Sequence, residues 1–375
     1  MAIINEKKEI ADIIAKICND VLLLDKRISD LELAGSEWAE VLKMASSQGV
    51  LPIIIQNLNG ASSKSGTPLI RKQLLQWIGA TIQNEQNYNM RFYVMKELAK
   101  LLGKAGIDIM FLKGASLAQL YPNPMWRVFS DVDYYLFGES ERGIQILAEY
   151  GIKNSDYYHH HTQASFNGIL IENHYDFVER INHKCDLMLD DSLKELAANE
   201  GHSLKAEFLG EGINNAYIMT PTMNAIFLMR HMSAHFVSES VPIRMLYDWA
   251  LFLKKYAGEV DWNYVMPLYE ASGMIKFVEI VMAILVTHMK FECPTCPVVF
   301  GKQSDAERVW ESIINPPEAD PHDKFTLRYY LFEAKTFFAN RWKHKLVYPG
   351  ESFWGLFFKY VKLGLNMMLK KTRNV

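Results

Sequence analysis

The stretch FLKGASLAQLYPNPMWRVFSDVDYYLF, residues 111–137, contains two aspartates, Asp131 and Asp133, in otherwise apolar surroundings. Valine and aromatic residues flank both, and no Gly, Pro or Asn follows Phe129 in this stretch to make a turn. The segment DVDYYLF is therefore predicted to be a β-strand. Residues i and i+2 of a strand point to the same face with Cα atoms about 6.5 Å apart, so both carboxylates are expected to face one way.

The charges of this pair indicate a metal site. Two unpaired carboxylates so close together repel each other and are costly to bury. A divalent cation between them removes that cost, and hard oxygen ligands suit Mg²⁺. An Asp-x-Asp pair in polar surroundings is more often a solvated turn or a helix cap. The apolar flanks of Asp131 and Asp133 favour the metal site instead.

A phosphate-binding turn is predicted upstream of the pair. In LKGAS, Gly114 and Ser116 follow a predicted strand directly, where backbone N–H groups are able to approach a phosphate closely. Lys113 and Arg127 are expected to add positive charge at the same place, and Ser130 lies next to the aspartate pair. Phosphoryl transfer requires both a phosphate-binding turn and a metal. These five residues are the predicted nucleotide-binding set.

The order of these residues resembles the polymerase-β-like nucleotidyltransferase superfamily. Within it, the stretch is most similar to bacterial proteins described as uncharacterised nucleotidyltransferases, whose pattern runs K-G, L-Y, R and D-x-D. The matching positions are Lys113, Gly114, Leu120, Tyr121, Arg127, Asp131 and Asp133. The superfamily often has Gly and Ser adjacent, whereas Ala115 separates them here, which leaves the identity of the phosphate-contacting hydroxyl open.

The resemblance implies an activity and its cofactors. It implies a small sheet with helices, two Mg²⁺ ions, with Mn²⁺ as the alternative, and transfer of a nucleoside monophosphate from an NTP to an acceptor with release of pyrophosphate. The acceptor stays open among a small molecule, a sugar, a protein and an RNA end. A non-catalytic nucleotide- or protein-binding module on the same fold is the alternative function.

A third carboxylate usually comes from a neighbouring strand in this superfamily and helps to hold the catalytic metal. In the segment GILIENHYDFV the candidates are Glu172 and Asp176. Glu172 is favoured, because its acid-x-His arrangement with His174 is similar to that of the family, so Asp131, Asp133 and Glu172 are the predicted catalytic and metal-binding residues. Asp176 would share the same face and stays an alternative. His174 is expected to order the acceptor, to bind a phosphate oxygen, or to be a polar strand residue paired with a neighbour.

Two pairs of polar residues recur at helical spacing further along the chain. His231 and His235 are four residues apart, as are Arg244 and Asp248, so each pair is expected on one helix face. The residues between the histidines are Met, Ser and Ala, and they lack the glutamate of the HExxH metalloprotease motif. Arg244 and Asp248 are predicted to form an intrahelical ion pair. The family resemblance extends to this spacing and implies that these helices line the cleft.

Two further clusters of potential metal ligands are predicted not to bind a metal. The histidine run at 159–161 is predicted to be a solvated loop, because consecutive residues seldom point at one metal. Cys293 and Cys296 form a lone CPTC, half of a zinc ribbon without its second half. A pair of reduced, partly buried thiols is the favoured interpretation.

The chain is predicted to have an α+β fold, in which a small mixed β-sheet nucleotidyltransferase core is flanked by N-terminal and C-terminal helical regions. IDIMFL and DVDYYLF are predicted strands, and ASFNGILIENHYDFV is predicted to be either a hairpin or one long strand with a bend near Asn167 and Gly168. The predicted divisions are an N-terminal helical region at 1–105, the α/β core at 106–200, a helical domain lining the cleft at 201–315, and a C-terminal helical section with a basic tail at 316–375.

Composition limits the classes of function. Forty basic and 43 acidic residues give a net charge of −3, which argues against a protein that binds duplex nucleic acid mainly through its phosphates. The N-terminus lacks the apolar segment of a secretory signal, so a cytoplasmic location is expected. The C-terminal FFKYVKLGLNMMLKKTR is basic and apolar, and it is predicted to contact a membrane surface weakly, to contact a nucleic acid or, as favoured, to dock on the core.

Overall fold

The protein is described by a computed structural model that covers residues 2–24, 35–57, 68–157, 160–180, 183–317 and 326–362. Within these ranges the helices are α1 (Ala2–Cys18), α2 (Gly35–Ser47), α3 (Leu51–Asn57), α4 (Pro68–Lys104), α5 (Gly114–Ala118), α6 (Ser140–Glu149), α7 (Lys184–Glu200), α8 (Pro221–Ser238), α9 (Ile243–Tyr256), α10 (Trp262–Ala271), α11 (Ile275–Thr287), α12 (Gln303–Ile314), α13 (Leu327–Ala339), α14 (Arg341–Val347) and α15 (353–362). The strands are β1 (Ile109–Phe111), β2 (Asp131–Tyr135), β3 (Asn154–Tyr157), β4 (His161–Phe166), β5 (Ile169–His174) and β6 (Ala216–Ile218). The predicted α+β fold is confirmed.

The described strands form one mixed sheet in the order β3-β4-β5-β2-β1-β6. β2 runs parallel to β5 and antiparallel to β1, and β1 runs parallel to β6. β4 pairs antiparallel with both β3 and β5. The strand that carries the aspartate pair therefore lies inside the sheet, between two neighbours.

The two faces of the sheet contact different groups of apolar residues. Val132 and Tyr134 belong to a core that also contains Phe111 and side chains of α4, whereas Tyr135 belongs to a second core built with α7, α8 and α9. Because strand residues alternate between faces, Asp131 and Asp133 point toward the face of Tyr135. The apolar residues around the pair bury one face of β2, and the carboxylates lie on the other.

A two-residue turn joins β4 to β5. Asn167 and Gly168 have positive φ values of 51° and 76°, the backbone that two-residue hairpin turns require and that Asn and Gly adopt most easily. The turn places Gln163 opposite Glu172 and His161 opposite His174. The segment is thus a hairpin, and not one long strand.

Helix ends agree with the signals in the sequence. At the start of α8, the hydroxyl of Thr220 accepts a hydrogen bond from the backbone N–H of Met223 at 3.3 Å, and Pro221 occupies the first turn. After α4, the backbone at Gly106 has φ +69°, and the N–H of Ile107 donates to the carbonyl of Leu102 at 3.0 Å. A threonine N-cap followed by proline is thus the local sequence signal at which α8 begins.

The N-terminal helices pack on the helices that follow the sheet. Buried Gln48 donates through Nε2 to the carbonyl of Ile313 at 3.1 Å, and its Oε1 accepts from the N–H of Ile243 at 2.8 Å. Its own carbonyl accepts from the N–H of Arg244 at 3.2 Å. One core contains side chains from α1, α2, α3 and α8 to α12. The four predicted divisions of the chain stay a prediction.

The C-terminal part of the chain is described only in part. The segments 318–325 and 363–375 lie outside the described residues, and with them the basic end of the predicted C-terminal tail. In α15, Trp354, Phe358 and Val361 are exposed and lie on one helix face at spacings of four and three. Contact of this helix with a membrane surface stays a prediction. Among the helices described, none combines the length and the apolar character needed to cross a bilayer.

A buried carboxylate, Asp248, joins the loop before β2 to α9. Arg127 donates to it through Nε and Nη2, both at 2.8 Å, and the hydroxyl of Tyr121 donates at 2.8 Å. Arg244 adds a contact at 3.1 Å, which confirms the predicted intrahelical pair. Arg127 also donates through Nη1 to the carbonyl of Gly114 at 2.9 Å. Asp248 therefore fixes the position of the glycine turn relative to the helices.

Replacing Asp248→Asn should destabilise the protein strongly, because the substitution leaves the guanidinium of Arg127 buried without its counter-charge. The free energy of unfolding, measured by chemical denaturation, should fall by about 3 kcal/mol. Asp305→Asn is the matched control, since its carboxylate pairs with Lys276 at 3.5 Å near the surface and should contribute less than about 1 kcal/mol. Equal losses in the two variants would contradict the role given to Asp248.

Candidate functional site

A cavity of about 150 Å³ lies between the aspartate-bearing strand and helices α8 and α9. Nine of the residues predicted for the site line it. They are Lys113, Gly114, Arg127, Ser130, Asp131, His231, His235, Arg244 and Asp248. Residues far apart in the sequence thus meet at one cavity, and the helices with the H-x-x-x-H and R-x-x-x-D spacing form one of its walls.

The predicted acidic residues lie next to this cavity on neighbouring strands. Asp133 is paired in register with Glu172, because β2 and β5 run parallel. Side chains of directly paired residues point to the same face, so the carboxylates of Asp131, Asp133 and Glu172 share one side of the sheet. Asp133 has no exposed side-chain surface, and Glu172 is also buried. Asp131 is half-buried and forms part of the cavity wall.

His174 belongs to this acidic group. Its Nε2 lies 3.1 Å from Oδ1 of Asp133 and 3.7 Å from Oε2 of Glu172, and the ring is buried. Burial lowers the pKa of His174, but hydrogen bonding to Asp133 and Glu172 outweighs burial and leaves this pKa raised. The structure therefore brings the predicted acid-x-His pair into contact with the aspartate strand.

Lys113 links the acidic group to the cavity. Its Nζ lies 3.2 Å from Oδ1 of Asp133. The backbone at Lys113 has φ +23° and at Gly114 φ +48°, so the chain turns sharply after β1. A non-glycine residue at positive φ is a strained arrangement, and such strain often marks functional sites. Here the turn directs the ammonium group toward the carboxylates.

The pKa values of the two aspartates move in opposite directions. Burial raises the pKa of Asp133, but the nearby charges of Lys113 and His174 outweigh burial and hold it well below its usual range. The pKa of Asp131 is raised, first by burial and then by the negative charge of Asp133. For Lys113, burial alone would lower the pKa, and the surrounding carboxylates raise it. Asp133 is thus held in its ionised form, whereas the positive charge of Lys113 only partly offsets burial and repulsion at Asp131.

Ser116 and Ser130 occupy different surroundings. The hydroxyl of Ser116 donates to the carbonyl of Lys113 at 2.7 Å, and its side chain lines a separate, smaller cavity. Ser130 is exposed and lines the main cavity beside Asp131. Of the two predicted serines, Ser130 is the one that faces the space next to the acidic group.

Glu172 and Asp176, the two candidates for the third carboxylate, have different partners in the structure. Glu172 lies beside Asp133, and its Oε1 accepts a hydrogen bond from Nε2 of Gln163 at 2.7 Å. Asp176 lies just after the end of β5 and forms an ion pair with Lys194 of α7. Nζ of Lys194 also lies 3.0 Å from the buried carboxylate of Asp190. The geometry therefore favours Glu172 as a ligand, and Asp176 belongs to a different ion-pair network.

The prediction of a solvated loop for the histidine run is wrong for its two described members. His161 is the first residue of β4 and is buried, and His160 is half-buried. Nε2 of His160 lies 3.0 Å from Nδ1 of His161, and Nε2 of His161 lies 3.7 Å from Oε1 of Glu172. Burial and the neighbouring His174 lower the pKa of His160 to about 3. His159 lies outside the described residues.

The donor atoms fit a divalent cation. Asp133, Glu172 and His174 each offer a ligand atom, and these atoms lie within 4.8 Å of one another. Oδ2 of Asp133 is buried and has no hydrogen-bond partner among the described residues. A buried carboxylate oxygen without a partner is costly, and a cation at this place would satisfy it. Across the described ranges, Asp131 belongs to neither group of ligand atoms that meets this distance, although it lies on the same face.

A second group of potential ligands overlaps the first. His160, His161 and His174 offer ring nitrogens within 4.8 Å of one another. The sequence prediction placed His160 and His161 in a solvated loop and did not single out Gln163, because their place beside Glu172 depends on the register of the β4–β5 hairpin. The Asn-Gly turn together with alternation along β4 is the signal that would have placed Gln163 on the acidic face.

The walls formed by α8 and α9 carry polar groups toward the cavity. The rings of His231 and His235 lie 4.5 Å apart, and Nδ1 of His235 lies 3.6 Å from Oε2 of Glu239. Burial and the positive charge of Lys113 lower the pKa of His231 well below its usual value, so its ring is neutral. Cys293 and Cys296 are free thiols, and no cysteine joins either set of potential metal ligands in the described part of the chain.

The family model described as uncharacterised nucleotidyltransferase matches residues 34–290, more than half of the chain. This range contains the aspartate strand, the glycine turn, the β4–β5 hairpin and helices α8 and α9. The chain therefore belongs to the uncharacterised nucleotidyltransferase family, and its class is that of transferases of nucleotidyl groups. No curated protein and no solved structure matches the chain.

The opposite pKa shifts predict opposite effects of two similar substitutions on stability. Asp131→Asn removes a carboxylate whose ionised form is disfavoured by burial and by Asp133, so it should raise the free energy of unfolding at neutral pH. Asp133→Asn leaves Lys113 and His174 buried without their counter-charge, so it should lower that free energy. Chemical denaturation with a chelator present is the measurement. Changes of the same sign in both variants would contradict these charge assignments.

Proposed function

We propose that this protein transfers a nucleoside monophosphate from an NTP to an acceptor with release of pyrophosphate. The observation that supports this most directly is the pairing of Asp133 with Glu172 on neighbouring strands, with Asp131 on the same face at the wall of the cavity. Lys113 lies between this acidic group and the cavity. Nucleotidyl transfer requires this combination of a cation site and positive charge for phosphates.

The residues at the cavity suggest how a triphosphate would bind. Lys113 would turn from Asp133 to a phosphate once a cation neutralises the carboxylate, and Gly114 and Ser130 would offer a backbone N–H and a hydroxyl. Arg244 would add a second positive charge from α9. Arg127 would act indirectly, because both of its carboxylate contacts go to Asp248.

The space available holds only part of the nucleotide. About 150 Å³ is less than the lower end, roughly 300 Å³, of the usual range for small-molecule pockets. The phosphate chain would therefore occupy the cavity, and the base would lie toward the open side. We assign His231 and His235 to contacts with the nucleotide or the acceptor, because both face the cavity from α8.

The divalent ion is expected to be Mg²⁺, with two ions per site or Mn²⁺ in their place. Asp133 and Glu172 would hold it, together with Asp131. When bound, it would supply Lewis-acid polarisation of the α-phosphate. An acceptor hydroxyl would attack the α-phosphorus and lose its proton to a carboxylate of this group. The bond to the β-phosphate oxygen would break, and its electron pair would leave with pyrophosphate.

A non-catalytic nucleotide-binding module is the second candidate. The observation that favours it is the ion pair between Lys113 and Asp133, which satisfies one predicted metal ligand without a metal. A protein that binds nucleotide at the cavity and performs no transfer would retain that pair. The two candidates differ in whether pyrophosphate is released.

Combined replacement of Asp131→Asn and Asp133→Asn should reduce pyrophosphate release from NTPs by about 100-fold or more, because the cation loses its ligands. The assay would use the full chain with Mg²⁺ or Mn²⁺, each NTP and a panel of acceptors, and Asp305→Asn would serve as the control with unchanged release. Release that is equal in the double variant and the wild type would contradict the proposal. Metal-dependent thermal stabilisation by an NTP without any release would support the binding module.

Glu172→Gln and Asp176→Asn form a matched pair that tests the third carboxylate. Glu172→Gln should weaken divalent-ion binding by about tenfold or more, because it removes a ligand beside Asp133. Asp176→Asn should leave ion binding unchanged and instead lower stability, since it breaks the pair with Lys194. Calorimetric titration of each variant with Mn²⁺ is the measurement. Weaker binding in Asp176→Asn alone would assign the ligand to Asp176.

A further inference from the structure

The acidic group contains an imidazole nitrogen that lies close to one oxygen of each of two carboxylates. Nε2 of His174 lies 3.1 Å from Oδ1 of Asp133 and 3.7 Å from Oε2 of Glu172. Ligand atoms around one divalent ion lie about 3 Å apart when each is about 2.1 Å from it. All three side chains are buried, with exposed fractions of 2%, 9% and 4% for Asp133, Glu172 and His174. One cation would therefore contact two carboxylates and one imidazole.

The orientation of Glu172 is fixed by a neighbour outside the acidic group. Nε2 of Gln163 donates to Oε1 at 2.7 Å, and Oε2 is the oxygen nearer to His174. Oδ2 of Asp133 has no hydrogen-bond partner among the described residues. Oδ2 of Asp133 and Oε2 of Glu172 are thus left for a cation, and the imidazole nitrogen lies next to Oε2 and next to the other oxygen of Asp133, Oδ1, which Lys113 also contacts.

We propose that His174 is a direct ligand of the divalent ion, and that the resulting oxygen and nitrogen donor set selects Mn²⁺ over Mg²⁺. This inference rests on the proposed function for the presence of a cation and extends it to the kind of cation. Mg²⁺ requires oxygen ligands in near-ideal octahedral geometry, whereas imidazole suits borderline transition ions. Mn²⁺ accepts both carboxylate and imidazole and replaces Mg²⁺ in phosphoryl transfer.

His160 and His161 strengthen the nitrogen character of the site. Their ring nitrogens lie within 4.8 Å of one from His174. Nδ1 of His160 and Nδ1 of His174 are buried without a hydrogen-bond partner among the described residues. Three imidazoles beside two carboxylates are an unusual surrounding for a site that selects Mg²⁺, which retains several waters and carboxylate ligands.

The competing explanation is that His174 only donates a hydrogen bond to Asp133. The two roles differ in the atom that faces the cation: a ligand nitrogen contacts the ion directly, whereas a donor N–H does not. His174→Asp separates them, because it substitutes an oxygen ligand for a nitrogen ligand. His288→Asn is the matched control, since His288 is another largely buried histidine, stacked on Trp310 away from the acidic group.

The first experiment measures metal preference without nucleotide, so that its outcome is independent of whether transfer occurs. The full chain is freed of metal and titrated with Mn²⁺, with Mg²⁺ as competitor, and free Mn²⁺ is followed by electron paramagnetic resonance. Because Mn²⁺ binds most sites more tightly than Mg²⁺, the ratio of affinities in each variant is the decisive quantity. His174→Asp should lower the Mn²⁺-to-Mg²⁺ ratio by about tenfold, and His288→Asn should leave it unchanged. A ratio unchanged in His174→Asp would overturn the proposal.

The second experiment needs no variant to fold for its main result. Electron spin-echo modulation of Mn²⁺ bound to the wild-type protein should show coupling to a directly bonded ¹⁴N, and the absence of that coupling would overturn the proposal. In folded His174→Asp the ¹⁴N coupling should disappear. A coupling that persists there would assign the nitrogen to another histidine and overturn the role of His174. Nucleotide transfer that fails while the ¹⁴N coupling is present would refute the proposed function and leave this inference standing.

Discussion

Parallel pairing of β2 with β5 holds the carboxylates of Asp133 and Glu172 side by side in the interior, and the rest of the site offsets their repulsion. Lys113 and His174 bring positive charge or hydrogen-bond donors to Asp133, and Gln163 donates to Glu172. Each compensating group comes from a different element: the turn after β1, the end of β5, and β4. Two buried like charges thus require three other segments to be in place.

A second buried carboxylate, that of Asp248, connects the sheet to the helices through hydrogen bonds. Asp248 on α9 accepts hydrogen bonds from Arg127 and Tyr121, which lie in the loop between β1 and β2. Arg127 in turn contacts the carbonyl of Gly114. The ion pair between Arg127 and Asp248 therefore sets the distance between the two walls of the cavity, the glycine turn and α9. The family match includes both walls. The sequence predicts that Arg127 adds positive charge beside the phosphates, and in the structure its guanidinium pairs with Asp248 and contacts the glycine turn.

Local patterns made much of the fold and part of the site predictable. The aspartate strand, the Asn167–Gly168 hairpin and the start of α8 each depend on a few neighbouring residues with defined backbone preferences. The contacts between distant segments were not predictable in this way. The burial of His161 and the partner of Asp176 follow from strand register and from the packing of α7, and neither leaves a trace in local spacing.

The length of the two-residue turn at Asn167 and Gly168 sets the register between β4 and β5. Because side chains alternate along a strand, one extra residue in this turn would shift β4 by one position against β5. Gln163 would then leave the acidic face, and the apolar Ala164 would replace it beside Glu172. The surroundings of the proposed cation site thus depend partly on the length of a loop, and insertions there would alter these surroundings without replacing any proposed ligand.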